Sequence, residues 1–302
     1  LLALCGRLGV PGGNVIDVWG KAAPDDPRAW RTLATGIPAI NGTFPPNVLP
    51  EEITSGHSER VRAVLCTAAN PLRSYADTTA YEEAFSQLDL LVVADIVMSE
   101  TAALAHYVLP CKTAFESWDG TAGDGYPNVY ARMRRPVLEA EGEQKEMGEI
   151  FTLLADALGL IPAIPESLHT AAQSGDLGAY GMALFQHLAA HPEDGKAVQF
   201  IVARTLGRSL GSVHLASILP AFAVMSPRRQ EEAARAGVAA GPTQGLDIFR
   251  AILDHPEGVL VGVRTPESTF GAVAAPEHRI RLHNAEVEAW MREIEPAAED
   301  IL

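Results

Sequence analysis

Cysteine is scarce in this sequence. Its 302 residues include three, Cys5, Cys66 and Cys111, and no two stand in CxxC spacing. That spacing pattern excludes a readable zinc or iron–sulfur framework and leaves three free thiols, as in a reducing compartment. The cytoplasm is the expected location. The chain starts at Leu1 rather than Met, so a targeting segment upstream, and with it the periplasm, stays open. Long apolar runs are also missing: the best candidate, "LASILPAFAVM" (215–225), is short and interrupted by Pro220. Positive charge is in short supply, 23 Lys and Arg against 38 Asp and Glu, a formal net charge of -15. Such a surface repels phosphate backbones, which argues against nucleic acid while leaving room for a local cationic pocket. "GVPGGN" (9–14) has neither the GxGxxG spacing nor a strand before it, and reads as a turn. His187 and His191 stand at i, i+4, but no HExxH surrounds them, and they read as a solvated helix face. No Ser/His/Asp or Cys/His arrangement stands out.

What is present points to an α/β protein. Residues 1–60 are rich in Gly and Pro and predict loops. "VRAVLCTA" (61–68) and "DLLVVAD" (89–95) read as buried strands, and "YVLP" (107–110) as a third, very short one. Between the first two, Asp77 caps a helix whose Tyr81, Phe85 and Leu88 share one face. Ser99 caps a second helix, expected to run to His106. Strand, helix, strand, helix, strand within about fifty residues is the pattern of a parallel sheet with right-handed crossovers. A further helix carries Met147, Ile150, Phe151, Leu154 and Leu158 as a stripe and stops at Gly159. Pro162 and Pro165 mark a boundary. The expected organisation is an α/β region at 1–162 and a mostly helical extension at 163–302, incomplete at both ends. That extension closes with short strands at 258–263 and 278–282, then a helix near 284–294.

In a parallel sheet, ligands gather at the carboxyl ends of the strands. Three polar loops leave those ends here. The first holds Asn70 and Pro71, a stiff turn with donors and acceptors. The second opens with Asp95, an acceptor suited to ribose hydroxyls or a guanine edge. The third, "PCKTAFESWDGT", holds Glu116, Trp118, Asp119, Gly120 and Thr121, where glycine near an indole allows close backbone approach. Each has an ordinary structural explanation too: a cap for Asp95, a turn for Asn70-Pro71, a core aromatic for Trp118. The coincidence of the three loops favours a ligand. The arginines of "ARMRRP" (131–136) suit either phosphates or solvent.

The segment from Asn70 to Thr121 resembles the molybdopterin oxidoreductases, the family of formate dehydrogenases, nitrate reductases and dimethyl sulfoxide reductase. The matching elements, in order, are Asn70-Pro71, Leu88-Asp89, Val92-Val93, Asp95, Glu100-Thr101-Ala102, Val108-Leu109-Pro110, Glu116 and Gly120-Thr121. "LLALCGRLGVPGGNV" and "RRPVLEAEGEQKEMGEIFTLLADALG" resemble neighbouring family segments, so the resemblance covers about residues 1–160. It implies a parallel Rossmann-like sheet with flanking helices in a catalytic subunit. There, molybdenum or tungsten is held by two pyranopterin guanine dinucleotides. It implies that Asn70, Ala94 and Asp95, and more loosely Glu116, Ser117 and Trp118, lie near one dinucleotide; Pro71 and Gly120 complete the set. Three departures stand out: Met147 where the family carries an acid, His106 where it carries Asp, and a longer "DGTAGDGYPN". No catalytic residue and no metal ligand is assigned in this chain. The cysteines for a 4Fe-4S cluster, the metal ligand and the C-terminal dinucleotide-binding barrel are expected outside residues 1–302. The chain alone is therefore expected to be inactive. Its expected partners are the remainder of the catalytic subunit and iron–sulfur electron-transfer subunits. Two alternatives remain: a cofactor-free relative such as the large iron–sulfur subunit of NADH–quinone oxidoreductase, and another α/β nucleotide-binding domain, as in thiamine-diphosphate enzymes.

Overall fold

The computed structural model describes residues 30–39, 43–223, 225–255, 257–271 and 285–294, together with 4–7, 10, 13, 277 and 283. The expected strand at 278–282 and most of the glycine-rich 9–14 turn lie outside the described residues.

Three parallel strands form the first sheet: β1 (Ala63–Thr67), β2 (Leu90–Asp95) and β3 (Tyr107–Pro110), with β2 in the centre. Side chains alternate across β2 as strand geometry requires. Leu91 and Val93 enter an apolar cluster with Ile53, Tyr81 and Phe85, which come from α1 (Leu49–Thr54) and α3 (Thr78–Phe85). Ala94, one residue out of phase, packs on the opposite face with Ile150 of α5 (Met147–Ala157). Helices thus cover both faces, the arrangement parallel sheets need.

The crossovers are short. The "NPLR" turn forms a single helical turn, α2 (Pro71–Ser74). Asp77 caps α3 by accepting from the Ala80 amide at 3.1 Å. Tyr81 is fully buried against Phe85, and burial pushes its phenol up to about 12. Ser99 caps α4 (Glu100–Ala103), which stops three residues short of His106. His106 serves the sheet instead. Its amide donates to Leu91 O and its Nδ1 accepts from Leu91 N, both at 2.9 Å. The imidazole is an acceptor for the edge of β2, a role open to an aspartate too. Leu158 falls at the C-cap of α5 and is exposed, so the apolar stripe ends at Leu154; Gly159 stops the helix at φ 66°.

The second sheet was not expected. β4 (Asp119–Asp124), β5 (Asn128–Arg134) and β6 (Val259–Val263) are antiparallel, with β5 central. Val129, Ala131 and Met133 point inward from β5. The remaining helices are α6 (Glu166–Gln173), α7 (Leu177–Ala190), α8 (Val198–Leu210), α9 (Val213–Ala223), α10 (Pro227–Arg235), α11 (Gln244–Asp254), α12 (Pro266–Phe270) and α13 (Ala285–Glu293). One apolar core joins Ala131 and Met133 to Leu168, Tyr180, Ile201, Leu206, Leu219 and Phe249. Packing therefore crosses the sequence boundary expected at residue 162, because β5 belongs with the helical extension. Among the described residues no helix is long and apolar enough to cross a membrane.

Two polar segments depart from their expected surroundings. His187 is 10% exposed rather than solvated: Nε2 meets Asp194 Oδ2 at 2.9 Å, and the ring lies against His191. The carboxylate is supplied by the 3-10 turn Pro192–Ala197, which folds back on α7. Arg134 pairs with Asp119 at 2.8 Å, while Arg135 donates to Leu253 O and lies over the Trp118 ring. Both arginines are occupied within the fold.

Glu146 joins the two regions. It is 6% exposed, and its Oε2 accepts from Ser212 Oγ at 2.6 Å and from the His214 amide at 3.2 Å. A carboxylate at a helix N-terminus satisfies amides that have no partner within the helix. Gly148 makes the approach possible, since a Cβ there would stand 2.8 Å from His214 Cα. Removing this carboxylate leaves buried donors unpaired, so Glu146→Ala is expected to cost about 2–4 kcal/mol. Urea unfolding measures it, and a double-mutant cycle with Ser212→Ala is expected to return a coupling of about 1–2 kcal/mol.

Candidate functional site

The register of the first sheet decides where its loops meet. Thr67 lies opposite Ala94, and Asp95 opposite Pro110, so all three strands end at one margin. Two backbone bonds continue the sheet past that point: Ala68 N to Ala94 O, and Cys111 N to Asp95 O, both 3.0 Å. Directly outside lies a cleft of about 440 Å³. Ala68, Ala69 and Asn70 line it from the first loop, and Asp95, Ile96, Val97 and Ser99 from the second. Cys111, Lys112 and Ser117 line it from the third. Met147, at the start of α5, and His214, on α9, complete the wall.

The walls are mainly apolar with a few polar groups, the usual constitution of a small-molecule site. Ala68 turns the chain out of β1 with φ 47°, in the left-handed region. For a residue with a Cβ this conformation costs about 1–2 kcal/mol, and such strain concentrates at functional sites.

Asp95 keeps binding capacity. Its Oδ1 accepts from the Ile96 amide at 2.7 Å and its Oδ2 from Ser99 Oγ at 3.2 Å. A carboxylate has about four acceptor sites, so each oxygen still has one open. Asn70 is spent differently. Its Nδ2 donates to Glu100 Oε2 at 2.7 Å, and its Oδ1 accepts from Thr101 Oγ1 at 2.7 Å and from the Thr101 amide at 3.3 Å. The side chain ties the loop after β1 to the loop after β2. The Asn70 amide, the backbone at Glu100 and the neighbouring Arg73 guanidinium hold the Glu100 carboxyl below its ordinary value. Cys66 and Cys111 are pushed up, first by burial and then by the Asp95 charge, so both stay thiols.

Of the residues singled out in sequence, Asn70, Ala94, Asp95 and Ser117 line the cleft. The other four do not. Pro71 is buried in the first turn of α2. Glu116 turns into its own loop, where the Thr113 amide and hydroxyl donate to it at 2.8 Å and hold its carboxyl low. Trp118 packs against the large helical core. Gly120 opens β4 beside Met133, whose Sδ a Cβ would meet at 3.2 Å. Lys112 and His214 were not foreseen. Lys112 follows from the register, since its amide continues the ladder to Lys145 O at 3.0 Å. His214 is more than a hundred residues from the sheet, and no local signal marks it. Met147 brings only a thioether, a weak acceptor, while the carboxylate beside it, Glu146, is turned away into α9.

The molybdopterin oxidoreductase family model matches residues 2–157. The chain belongs to the molybdopterin oxidoreductase family. The probable oxidoreductase YyaE of Bacillus subtilis is 28% identical over 162 residues, 53% of this chain and 24% of that protein. The F420-dependent formate dehydrogenase 1 subunit alpha of Methanococcus maripaludis is 28% identical over 178 residues, 53% of this chain and 26% of that one. Among solved structures, acetylene hydratase from Pelobacter acetylenicus aligns over 39% of this chain and 16% of its own, at 28% identity and a TM-score of 0.36. The chain thus spans about a quarter of the length of these two curated relatives. The cleft is built chiefly from family-matched residues, with His214 supplied from beyond them.

Asn70→Ala frees Glu100 from its strongest partner. The Glu100 carboxyl is then expected to titrate at higher pH than in the wild type, read by NMR. The folded value is depressed, so the stability difference between the two proteins is full above the ordinary value of 4.5. It shrinks as pH falls through the folded value.

Proposed function

We propose that this chain is part of the catalytic subunit of a molybdenum or tungsten oxidoreductase, and that its cleft holds the guanosine end of one pyranopterin guanine dinucleotide. The observation that carries this reading is Asp95. It stands at a strand end, in a family-matched cleft, with one acceptor site open on each oxygen. A guanine edge presents adjacent N–H donors to such a carboxylate; adenine does not. The cleft volume of about 440 Å³ and its apolar walls suit a nucleoside. Asn70 acts here as a positioning residue that holds two lips of the cleft together. The metal–pterin group, when bound, supplies the two-electron redox chemistry. The residues of this chain bind and orient one arm of it.

In this reading the metal ligand, the second dinucleotide site and a 4Fe-4S cluster are provided by other parts of a longer subunit, and this chain alone is inactive. Electrons pass to iron–sulfur partners. All three cysteines were expected to be buried thiols; Cys66 and Cys111 are buried and Cys5 is exposed, and the three free thiols support a reducing compartment such as the cytoplasm. Met147 in the cleft wall, in place of an acid, favours one second reading: a cofactor-free relative resembling the large iron–sulfur subunit of NADH–quinone oxidoreductase. Elemental analysis of the full-length protein decides between them, since the first reading requires molybdenum or tungsten and the second requires neither.

The nucleotide site has its own test. In full-length protein from cells unable to make molybdopterin, GDP is expected to bind and ADP to bind far more weakly. Asp95→Asn exchanges an acceptor for a donor and is expected to weaken GDP by about 10–100-fold in calorimetry. Unchanged GDP affinity in this variant would remove the assignment.

A further inference from the structure

We propose that His214, on the helical extension, is a ligand-binding residue of the cleft: with Lys112 it donates to a phosphate oxygen of the nucleotide held there. The inference rests on the nucleotide reading above and adds to it a contact from outside the family-matched segment.

The His214 ring has no structural employment. The tie between α9 and Glu146 uses the backbone amide of His214, not its side chain. Ring Nδ1 is buried and has no hydrogen-bond partner. It faces the start of α5, where a Cβ on Gly148 would lie 3.1 Å away. His214 lines the cleft. An imidazole that makes no hydrogen bond within the fold and stands in a cleft wall is available to a ligand.

Lys112 supplies charge at the same cleft. Its backbone is fixed on both sides by the ladder between Pro110, Lys145 and Cys111. Among the described residues its ammonium has no carboxylate within ion-pair distance; the nearby Glu116 carboxylate, which its charge helps hold low, is bonded to Thr113. Lys112 from the third loop and His214 from α9, with Asp95 at the strand end, give the cleft two kinds of group. The carboxylate suits donors of a base or ribose. The two donors suit an anionic oxygen. Glu146 does not cancel them, because its carboxylate is committed to the Ser212 hydroxyl and the His214 amide.

The test uses the full-length protein from cells unable to make molybdopterin, with guanosine, GDP and inorganic pyrophosphate as probes. His214→Leu and Lys112→Gln are each expected to weaken GDP by about 10-fold, while guanosine affinity stays within about two-fold. Pyrophosphate binding is expected to be lost in both. Lys112→Gln is further expected to flatten the salt dependence of GDP binding. His214→Leu is expected to leave the unfolding midpoint unchanged or raised, because it removes a buried polar atom with no partner. Equal losses for guanosine and GDP would make His214 merely structural and overturn the inference. So would full GDP affinity in His214→Leu where Asp95→Asn is impaired; the nucleotide reading would then stand without it. GDP binding that ignores Asp95→Asn, or no GDP binding at all, would instead remove the nucleotide reading and this inference together.

Discussion

A buried carboxylate ties the second wall of the cleft to the first sheet. Glu146 sits between the ladder that prolongs β3 and the first turn of α9. Its backbone neighbour Lys145 is anchored to Pro110 and Lys112, and its side chain to Ser212 and His214. Charged acceptors in such settings are worth far more than surface ion pairs, because the unpaired alternative is so unfavourable. The exposed pairs of this protein, such as Arg73 with Glu100, are of the weaker kind and shape only their own loops. Through Glu146 the helical extension becomes part of the site.

The other half of the site follows from parallel pairing. Parallel strands in register present their carboxyl ends on one side, and β2, being central, dictates where both neighbours stop. Its residues serve two ends at once. Leu91 and Val93 fix which face meets α1 and α3, while Asp95 ends the strand with a side chain that caps the exit. A slip of one residue would exchange the two faces and turn Leu91 and Val93 away from α1 and α3. Function and core packing therefore constrain the same six residues, Leu90–Asp95.

How much of this is legible in the sequence depends on range. β1, β2 and β3 are readable because buried parallel strands are short apolar runs bounded by turn residues. Asp95 and Asn70 are readable for the same reason, as the first polar residues after such runs. β5 escapes notice although Val129, Ala131 and Met133 alternate with Tyr130, Arg132 and Arg134; the small alanine and the arginines hide the pattern. β4, "DGTAGD", has a composition that reads as loop and is a strand only because β5 pairs with it. Glu116 and Trp118 do follow β3, but the direction of a side chain within a loop has no periodicity to reveal it. His214 and Glu146 depend on packing between distant segments, which no local pattern encodes.

The second sheet imposes an order of events on biosynthesis. β5 is its central strand, yet its partner β6 is made more than a hundred residues later. While the chain emerges, the first sheet has all its strands by Pro110 and can close early. β5 must wait with one hydrogen-bonding edge open until Val263 has left the ribosome. An unpaired edge flanked by apolar side chains invites contact with other nascent chains. The interval between those two strands is where a chaperone would have most to protect.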